Sequence, residues 1–172
     1  MFRIAVCDDE AHSLAHMISL IEEYRLTSPF HFEYASFHNG LELASVIEHG
    51  KHFDIYCLDI VMPGYDGIEL GKEIRDYDKS AQIIYFTSSP EFALDSYSVK
   101  AANYVLKPIT KETLFSVLND ILEQIEHKEE AFLVLKTTQG IEKILLSNLV
   151  YAEAMGRKVL YHLASGRTLE CF

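Results

Sequence analysis

The chain has 172 residues, 49% hydrophobic and 24% charged, with 15 Lys+Arg against 26 Asp+Glu and a net charge of −11. This is the balance of a globular protein and excludes disordered and collagen-like chains, while no apolar run approaches the roughly 18 residues of a membrane span. The apolar run over 2–6 meets Asp8-Asp9-Glu10, too short for a secretory h-region, and three scattered cysteines (Cys7, Cys57, Cys171) without a CxxC read as the reduced thiols of a cytoplasmic protein.

Residues 1–127 carry 9 Lys+Arg against 21 Asp+Glu, and residues 128–172 carry 6 against 5. An acidic first part is repelled by nucleic acid, because phosphate binding rests on Lys and Arg displacing counterions. The split predicts two parts with different electrostatic roles: a first domain over 1–127, a linker over 128–130 and a second part over 131–172.

In chain order, the first part alternates strand-like and helix-like patterns five times. Short β-branched or aromatic runs at 2–7, 31–37, 54–58, 82–86 and 103–106 are each bounded by polar or turn residues. The first intervening helix presents Leu14, Ile18 and Ile21. The fourth is expected to start at Ser89-Pro90-Glu91, with Ser89 as its N-cap hydroxyl. The fifth shows Leu114, Val117, Leu118, Ile121, Leu122 and Ile125 at i, i+3, i+4 spacing. Repeated βα units predict an α/β fold with a five-stranded parallel sheet and helices on both faces.

In such sheets ligands bind beyond the carboxyl ends of the strands. Asp8 and Asp9 follow the first strand, Asp59 the third, Thr87 the fourth and Lys107 the fifth. Three carboxylates brought together repel one another unless a cation sits among them, and a hard, oxygen-loving dication such as Mg²⁺ meets that need. The Lys107 ammonium neutralises further anionic charge, and the Thr87 hydroxyl can donate to a phosphoryl oxygen. A carboxylate so placed is a competent nucleophile toward phosphorus, which points to an aspartyl phosphate at Asp59.

With Asp8-Asp9, Asp59 followed by Met62-Pro63 and Asp66-Gly67, Thr87, Tyr104 and Lys107-Pro108, the first part resembles the receiver domain of two-component response regulators, a flavodoxin-like (βα)5 fold. The resemblance implies that Asp59 accepts phosphate from a sensor histidine kinase. It implies that Asp9, Asp59 and the backbone carbonyl of Val61 hold Mg²⁺, with Asp8 acting largely through water. Lys107 would pair with the phosphoryl group and be joined to Pro108 by a cis bond. Thr87 and Tyr104 would form the switch pair, the hydroxyl moving to the phosphate and the ring turning inward. Tyr65 stands where the family often has Met. Val61 and Ser89 occupy positions that influence how water reaches the acyl phosphate, and an apolar Val61 offers that water no hydrogen bond, so a long-lived phosphoryl group is expected.

The second part shows strand-like runs at 132–136, 141–146, 149–154, 158–163 and 168–172, with turn signals at Gln139-Gly140, Gly156 and Ser165-Gly166. The pattern reads as a β-meander without a helix. It resembles the beginning of a LytTR-type DNA-binding domain, and ending inside an apparent strand it is expected to be cut short. Lys136, Lys143, Arg157, Lys158 and Arg167 make a mild basic complement, and no DNA-reading residue is assigned.

Other signals point nowhere specific. His12 and His16 have a metal-capable i, i+4 spacing but no third ligand, and read as solvent-facing. Cys7 and Cys57 read as buried small hydrophobes. No GxGxxG or Walker spacing surrounds Gly64 and Gly67. A phosphatase would need a positioned acid/base near its nucleophile, and no DxD follows the first strand, so the chain is not expected to be an enzyme. The expected function is a response regulator controlling transcription, with a sensor histidine kinase, promoter DNA and a second copy of itself as partners and no membrane. The rival is a receiver whose β segment serves protein interaction or dimerisation instead of DNA binding.

Overall fold

The computed structural model describes residues 1–129, 132–137 and 140–171, without the side chains of 127–129. Its contacts divide the chain into two compact units, Met1–Ile121 and Leu122–Phe172. In the first, β1 (Phe2–Cys7), β2 (Phe32–Phe37), β3 (Ile55–Leu58), β4 (Gln82–Thr87) and β5 (Asn103–Leu106) alternate with α1 (Ala11–Thr27), α2 (Gly40–Glu48), α3 (Gly67–Tyr77), α4 (Ala93–Ser98) and the start of α5 (Lys111–Glu129), whose residues from Leu122 on fall in the second. The strands form one parallel sheet in the order β2-β1-β3-β4-β5, the flavodoxin-like arrangement.

The strands are nearly continuous apolar runs because helices cover both faces. Ala5, Cys7, Tyr56, Leu58, Ile83 and Tyr85 share one core cluster with Leu43, Ile47, Leu70 and Ile74 of α2 and α3. Their alternate neighbours Ile4, Val6, Ile55, Cys57, Ile84 and Phe86 are equally buried and face the other way by the strand period of two. There Leu14, Met17 and Ile21 of α1 and Leu114 and Leu118 of α5 are buried. Tyr24 packs edge-on to Phe115 at 5.0 Å and donates to Asn119 Oδ1 at 2.6 Å.

Side chains cap α2, α3 and α5, the last through Thr110 Oγ1, which accepts from the Thr113 N–H at 3.2 Å. Asn39 accepts from the Glu42 N–H and Asp66 from the Glu69 N–H, each at 2.8 Å. At the end of α3, Arg75 donates to the carbonyl of Ala81, just before β4, at 2.5 Å, and reaches across to the segment after α4, donating to those of Val99 at 2.8 Å and Lys100 at 3.1 Å.

Three expectations for this part are corrected. Ser89 does not cap α4: residues 90–92 form a turn, the helix starts at Ala93, and its N-cap is Phe92 with no side-chain bond. The Ser89 backbone is already engaged, its N–H with Thr87 and its carbonyl with Tyr104. The buried stripe of α1 runs through Leu14, Met17, Leu20, Ile21 and Tyr24, with Ile18 only partly covered. Finally, α5 continues through Lys128 and Glu129, two of the three residues expected to be linker, because Glu, Gln and Lys are strong helix formers; Glu130 lies outside the described residues.

In the second unit, β6 (Phe132–Thr137) and β7 (Gly140–Leu145) form a hairpin. A 3-10 turn (Leu146–Asn148) follows where no helix was expected, and then β8 (Leu149–Met155), β9 (Lys158–Leu163) and β10 (Thr168–Cys171). The antiparallel order is β7-β6-β10-β9-β8, so the sheet is not a simple meander. The return of β10 to β6, with Cys171 opposite Thr137, joins a hairpin to a three-stranded meander. Leu135, Ile144, Leu163, Leu169 and Cys171 form its small core. The expected turn residue Gln139 and the strand end at Phe172 lie outside the described residues. Among the described residues, no helix is long and apolar enough to cross a membrane.

Candidate functional site

Strand register builds the site. Cys7 lies opposite Leu58, so Asp8 and Asp59 leave their strands side by side, and the Asp59 N–H donates to the Cys7 carbonyl at 2.8 Å. At the other pair, the Lys107 N–H donates to the Thr87 carbonyl at 2.8 Å. Four strand ends thus deliver Asp8 and Asp9, Asp59, Thr87 and Lys107 to one rim, as the sequence predicts. Ligand oxygens of Asp8, Asp9 and Asp59 lie within 4.8 Å of one another. Asp8 and Thr87 are fully buried, Asp59 is 6% exposed, and Asp9 is exposed.

The Lys107 ammonium bridges the two buried carboxylates, 2.8 Å from Asp8 Oδ2 and 2.8 Å from Asp59 Oδ2. Burial pulls its pKa down, but the hydrogen bonds it donates to Asp59 and Asp8, with their charges, outweigh that and hold it above the ordinary lysine value. The peptide bond from Lys107 to Pro108 is cis. The other oxygen of the expected nucleophile, Asp59 Oδ1, accepts from the N–H of Ile60 at 2.6 Å and of Val61 at 3.3 Å. Val61 itself is 52% exposed, its side chain at the mouth of the loop. Three carboxylates face one ammonium, an all-oxygen, net-negative donor set that suits a hard dication such as Mg²⁺.

Close approach of α3 holds the Asp59 loop down. The Gly67 N–H donates to the Ile60 carbonyl at 2.9 Å, and the Tyr85 hydroxyl donates to the Gly67 carbonyl at 3.0 Å. A Cβ on Gly67 would stand 2.1 Å from the Asp59 carbonyl oxygen, so only glycine fits. Tyr65 packs against the α2/α3 core, donates to Glu73, and leaves the carboxylate cluster untouched.

Thr87 and Tyr104 meet through the backbone of Ser89. The Ser89 N–H donates to Thr87 Oγ1 at 3.2 Å, and the Tyr104 hydroxyl donates to the Ser89 carbonyl. The Tyr104 ring is partly buried against the core cluster. Burial and, after it, the charge of Asp59 raise the Tyr104 pKa, an electrostatic link between ring and acid.

Two site residues are missing from the sequence reading. Ser13 donates to Asp8 Oδ2 at 2.6 Å, and His16 bonds the Ile109 carbonyl at 2.9 Å. His16 is solvent-exposed, as expected, and in addition ties α1 to the segment after Lys107. Both follow the acidic pair in the first turns of α1, but nothing in the local pattern says which way they point. Cys7 and Cys57 are buried as expected; burial pushes each thiol up to about 12, helped at Cys7 by the neighbouring carboxylates.

The profile described as the response regulator receiver domain matches residues 4–119. The chain is similar to the positive alginate biosynthesis regulatory protein of Pseudomonas aeruginosa, 32% identical over 118 residues, covering 67% of this chain and 45% of that protein. It is also similar to the sensory transduction protein LytT of Oceanobacillus iheyensis, 29% identical over 124 residues, covering 68% of this chain and 50% of that one. The chain therefore spans about half the length of these curated relatives. Among solved structures, the response regulatory domain of protein mrkE from Klebsiella pneumoniae matches with a TM-score of 0.65 and 25% identity, covering 73% of this chain and 98% of that one. Profile, relatives, sheet order and strand-end carboxylates agree: the chain belongs to the response regulator receiver domain family of two-component systems.

Proposed function

We propose that this chain is phosphorylated on Asp59 by a sensor histidine kinase in the cytoplasm and that the phosphoryl group switches a transcriptional output. One observation carries the reading: a nearly buried Asp59 whose carboxylate is bridged by Lys107 to Asp8, with Asp9 in the same 4.8 Å cluster.

The chemistry follows from the donors. A carboxylate oxygen of Asp59 attacks phosphorus, forming a P–O bond as the P–N bond to the kinase imidazole breaks, and the imidazole leaves with the bonding pair. Lys107 shifts from the carboxylate toward the phosphoryl oxygens, whose charge it stabilises in the transition state. The backbone N–H groups of Ile60 and Val61 hold the acid in place. Mg²⁺, held by Asp9, Asp59 and the Val61 carbonyl with Asp8 acting through water, would supply charge neutralisation for the transferring group. As Thr87 turns its hydroxyl to the phosphate, its bond with the Ser89 N–H changes. The Ser89 carbonyl passes that change to Tyr104, so a local charge biases the surface around α4 and β5.

The name of the relative LytT and the antiparallel sheet of the second unit support a LytTR-type DNA-binding output. The basic side chains of this unit are largely engaged within it. Lys143 lies over the Phe132 ring at 3.6 Å, Arg167 pairs with Glu142 at 3.0 Å, and Lys158 pairs with Glu170. The rival, a protein-interaction or dimerisation element, draws on exposed Phe132, Val134, Ile141, Tyr151 and Met155. Salt-dependent binding of the full-length gene product to promoter DNA supports the first reading; salt-independent self-association without DNA binding supports the second.

Intact mass after incubation with a small acyl phosphate and Mg²⁺ tests the receiver chemistry. One added phosphoryl group, labile to hydroxylamine and lost in Asp59→Asn, is the expected outcome. No addition while Mg²⁺ binds would refute phosphorylation and leave the fold standing.

A further inference from the structure

Asp8 is fully buried, so both of its oxygens need donors. Oδ1 takes the Glu10 N–H at 3.0 Å. Oδ2 takes two donors, the Ser13 hydroxyl at 2.6 Å and the Lys107 ammonium at 2.8 Å. The Ser13 distance is that of a charge-assisted O–H···O⁻ bond. Lys107 is meanwhile shared with Asp59 at 2.8 Å, so its position is a contest between two carboxylates.

One turn further along α1, His16 Nε2 lies 2.9 Å from the Ile109 carbonyl, two residues beyond Lys107. A carbonyl oxygen only accepts, so Nε2 carries the proton whether the ring is neutral or charged. Ile109 is 5% exposed, and its segment leads from the rim into α5. Ser13 and His16, three residues apart, lie on one side of α1. Through them one helix touches both the acid that competes for Lys107 and the backbone that carries Lys107.

From this geometry we infer that Ser13 and His16 are positioning residues for the phosphoacceptor reaction, a reading that rests on Asp59 phosphorylation. Ser13 keeps the buried Asp8 carboxylate satisfied when Lys107 swings away toward the phosphoryl oxygens, and so lowers the cost of that swing. It also occupies a lone pair of Asp8 that would otherwise turn toward the cation. His16 fixes the height of the Lys107 backbone over the rim.

The inference has a signature with opposite signs. Ser13→Ala should slow Asp59 phosphorylation by a small acyl phosphate about tenfold at saturating Mg²⁺, an increase of about 1.4 kcal/mol in the barrier. The same variant should bind Mg²⁺ about threefold more tightly by calorimetry, because Asp8 loses a competing donor. Mere loosening of the site would weaken both. Ser13→Thr, which keeps the hydroxyl, should restore both quantities to within about twofold. His16→Ala should slow phosphorylation without changing Mg²⁺ affinity, and His16→Gln, which keeps an N–H donor, should recover most of the rate.

Native rates and native Mg²⁺ affinity in Ser13→Ala, or failure of Ser13→Thr to restore them, would overturn the inference. Should the unsubstituted chain take up no phosphoryl group, the phosphorylation reading falls by itself. The Mg²⁺ titration of Ser13→Ala and Ser13→Thr then decides only whether the Ser13 bond restrains Asp8, an unchanged affinity counting against it.

Discussion

Gly67 has an ordinary negative-φ backbone, so replacing it with alanine tests close packing and nothing else. The new Cβ would stand 2.1 Å from the Asp59 carbonyl oxygen and 2.9 Å from both Asp59 C and Ile60 Cα. Non-bonded contacts settle near 3.5 Å, so α3 and the Asp59 loop must part by roughly 1.4 Å. Backbone lies on both sides, and no flexible side chain can yield. Overpacking of this kind costs about 1–3 kcal/mol, and the upper half of that range is expected here. The displaced carbonyl belongs to the phosphoacceptor, whose carboxylate sits 2.8 Å from Lys107. A misplacement of about 1 Å can cost roughly a hundredfold in rate. Gly67→Ala should therefore lower the urea midpoint followed by far-UV circular dichroism and slow acyl phosphate labelling by about two orders of magnitude. Gly64→Ala is the control: at φ +80 with no atom within 4 Å, it should cost about 1–2 kcal/mol of backbone strain and leave the labelling rate alone. Native stability and labelling in Gly67→Ala would refute the packing argument.

Val61→Asn should shorten the lifetime of the phosphoryl group severalfold, measured by mass spectrometry after the donor is removed, because the amide can orient an attacking water where the apolar side chain cannot; a lifetime unchanged or extended counts against that role. Arg75→Ala strips donors from the Ala81, Val99 and Lys100 carbonyls and should cost about 2–3 kcal/mol in urea unfolding; Arg75→Ala unfolding at the native midpoint would discard the clamp. In a Cys171→Ser background, Cys7 and Cys57 should ignore a disulfide reagent at pH 8 and react only on unfolding, since both are buried with pKa values near 12. At Asp78, burial raises the pKa, but bonds from the Ser80 hydroxyl and the Ser80 and Ala81 N–H groups outweigh it and leave the value below 3.8. A depressed carboxylate stabilises above its unfolded pKa and loses that contribution as pH falls through the folded value. Asp78→Ala should therefore be about 1 kcal/mol less stable at neutral pH, with the gap closing below pH 3.8 in a urea series; a gap independent of pH would refute the assignment.

The sequence by itself determined the parallel sheet and the chemistry on its rim, because both are written in local patterns. Buried parallel strands are short apolar runs, and the residue after each run must project at the carboxyl edge, so Asp8, Asp59 and Lys107 could be placed on one rim from chain order alone. The apolar face of α5 was legible for the same reason. Tertiary structure decided what depends on the direction of a side chain or on partners distant in the chain. Ser89 has the composition of an N-cap, yet its backbone is bonded to Thr87 and Tyr104, which delays α4 to Ala93. Ser13 and His16 look like ordinary helix residues until Asp8 and Ile109 are brought against them. Five strands in the second unit were visible from their turns. The pairing of β10 with β6 was not, because a strand's period shows which residues share a face and is silent about which strand comes alongside.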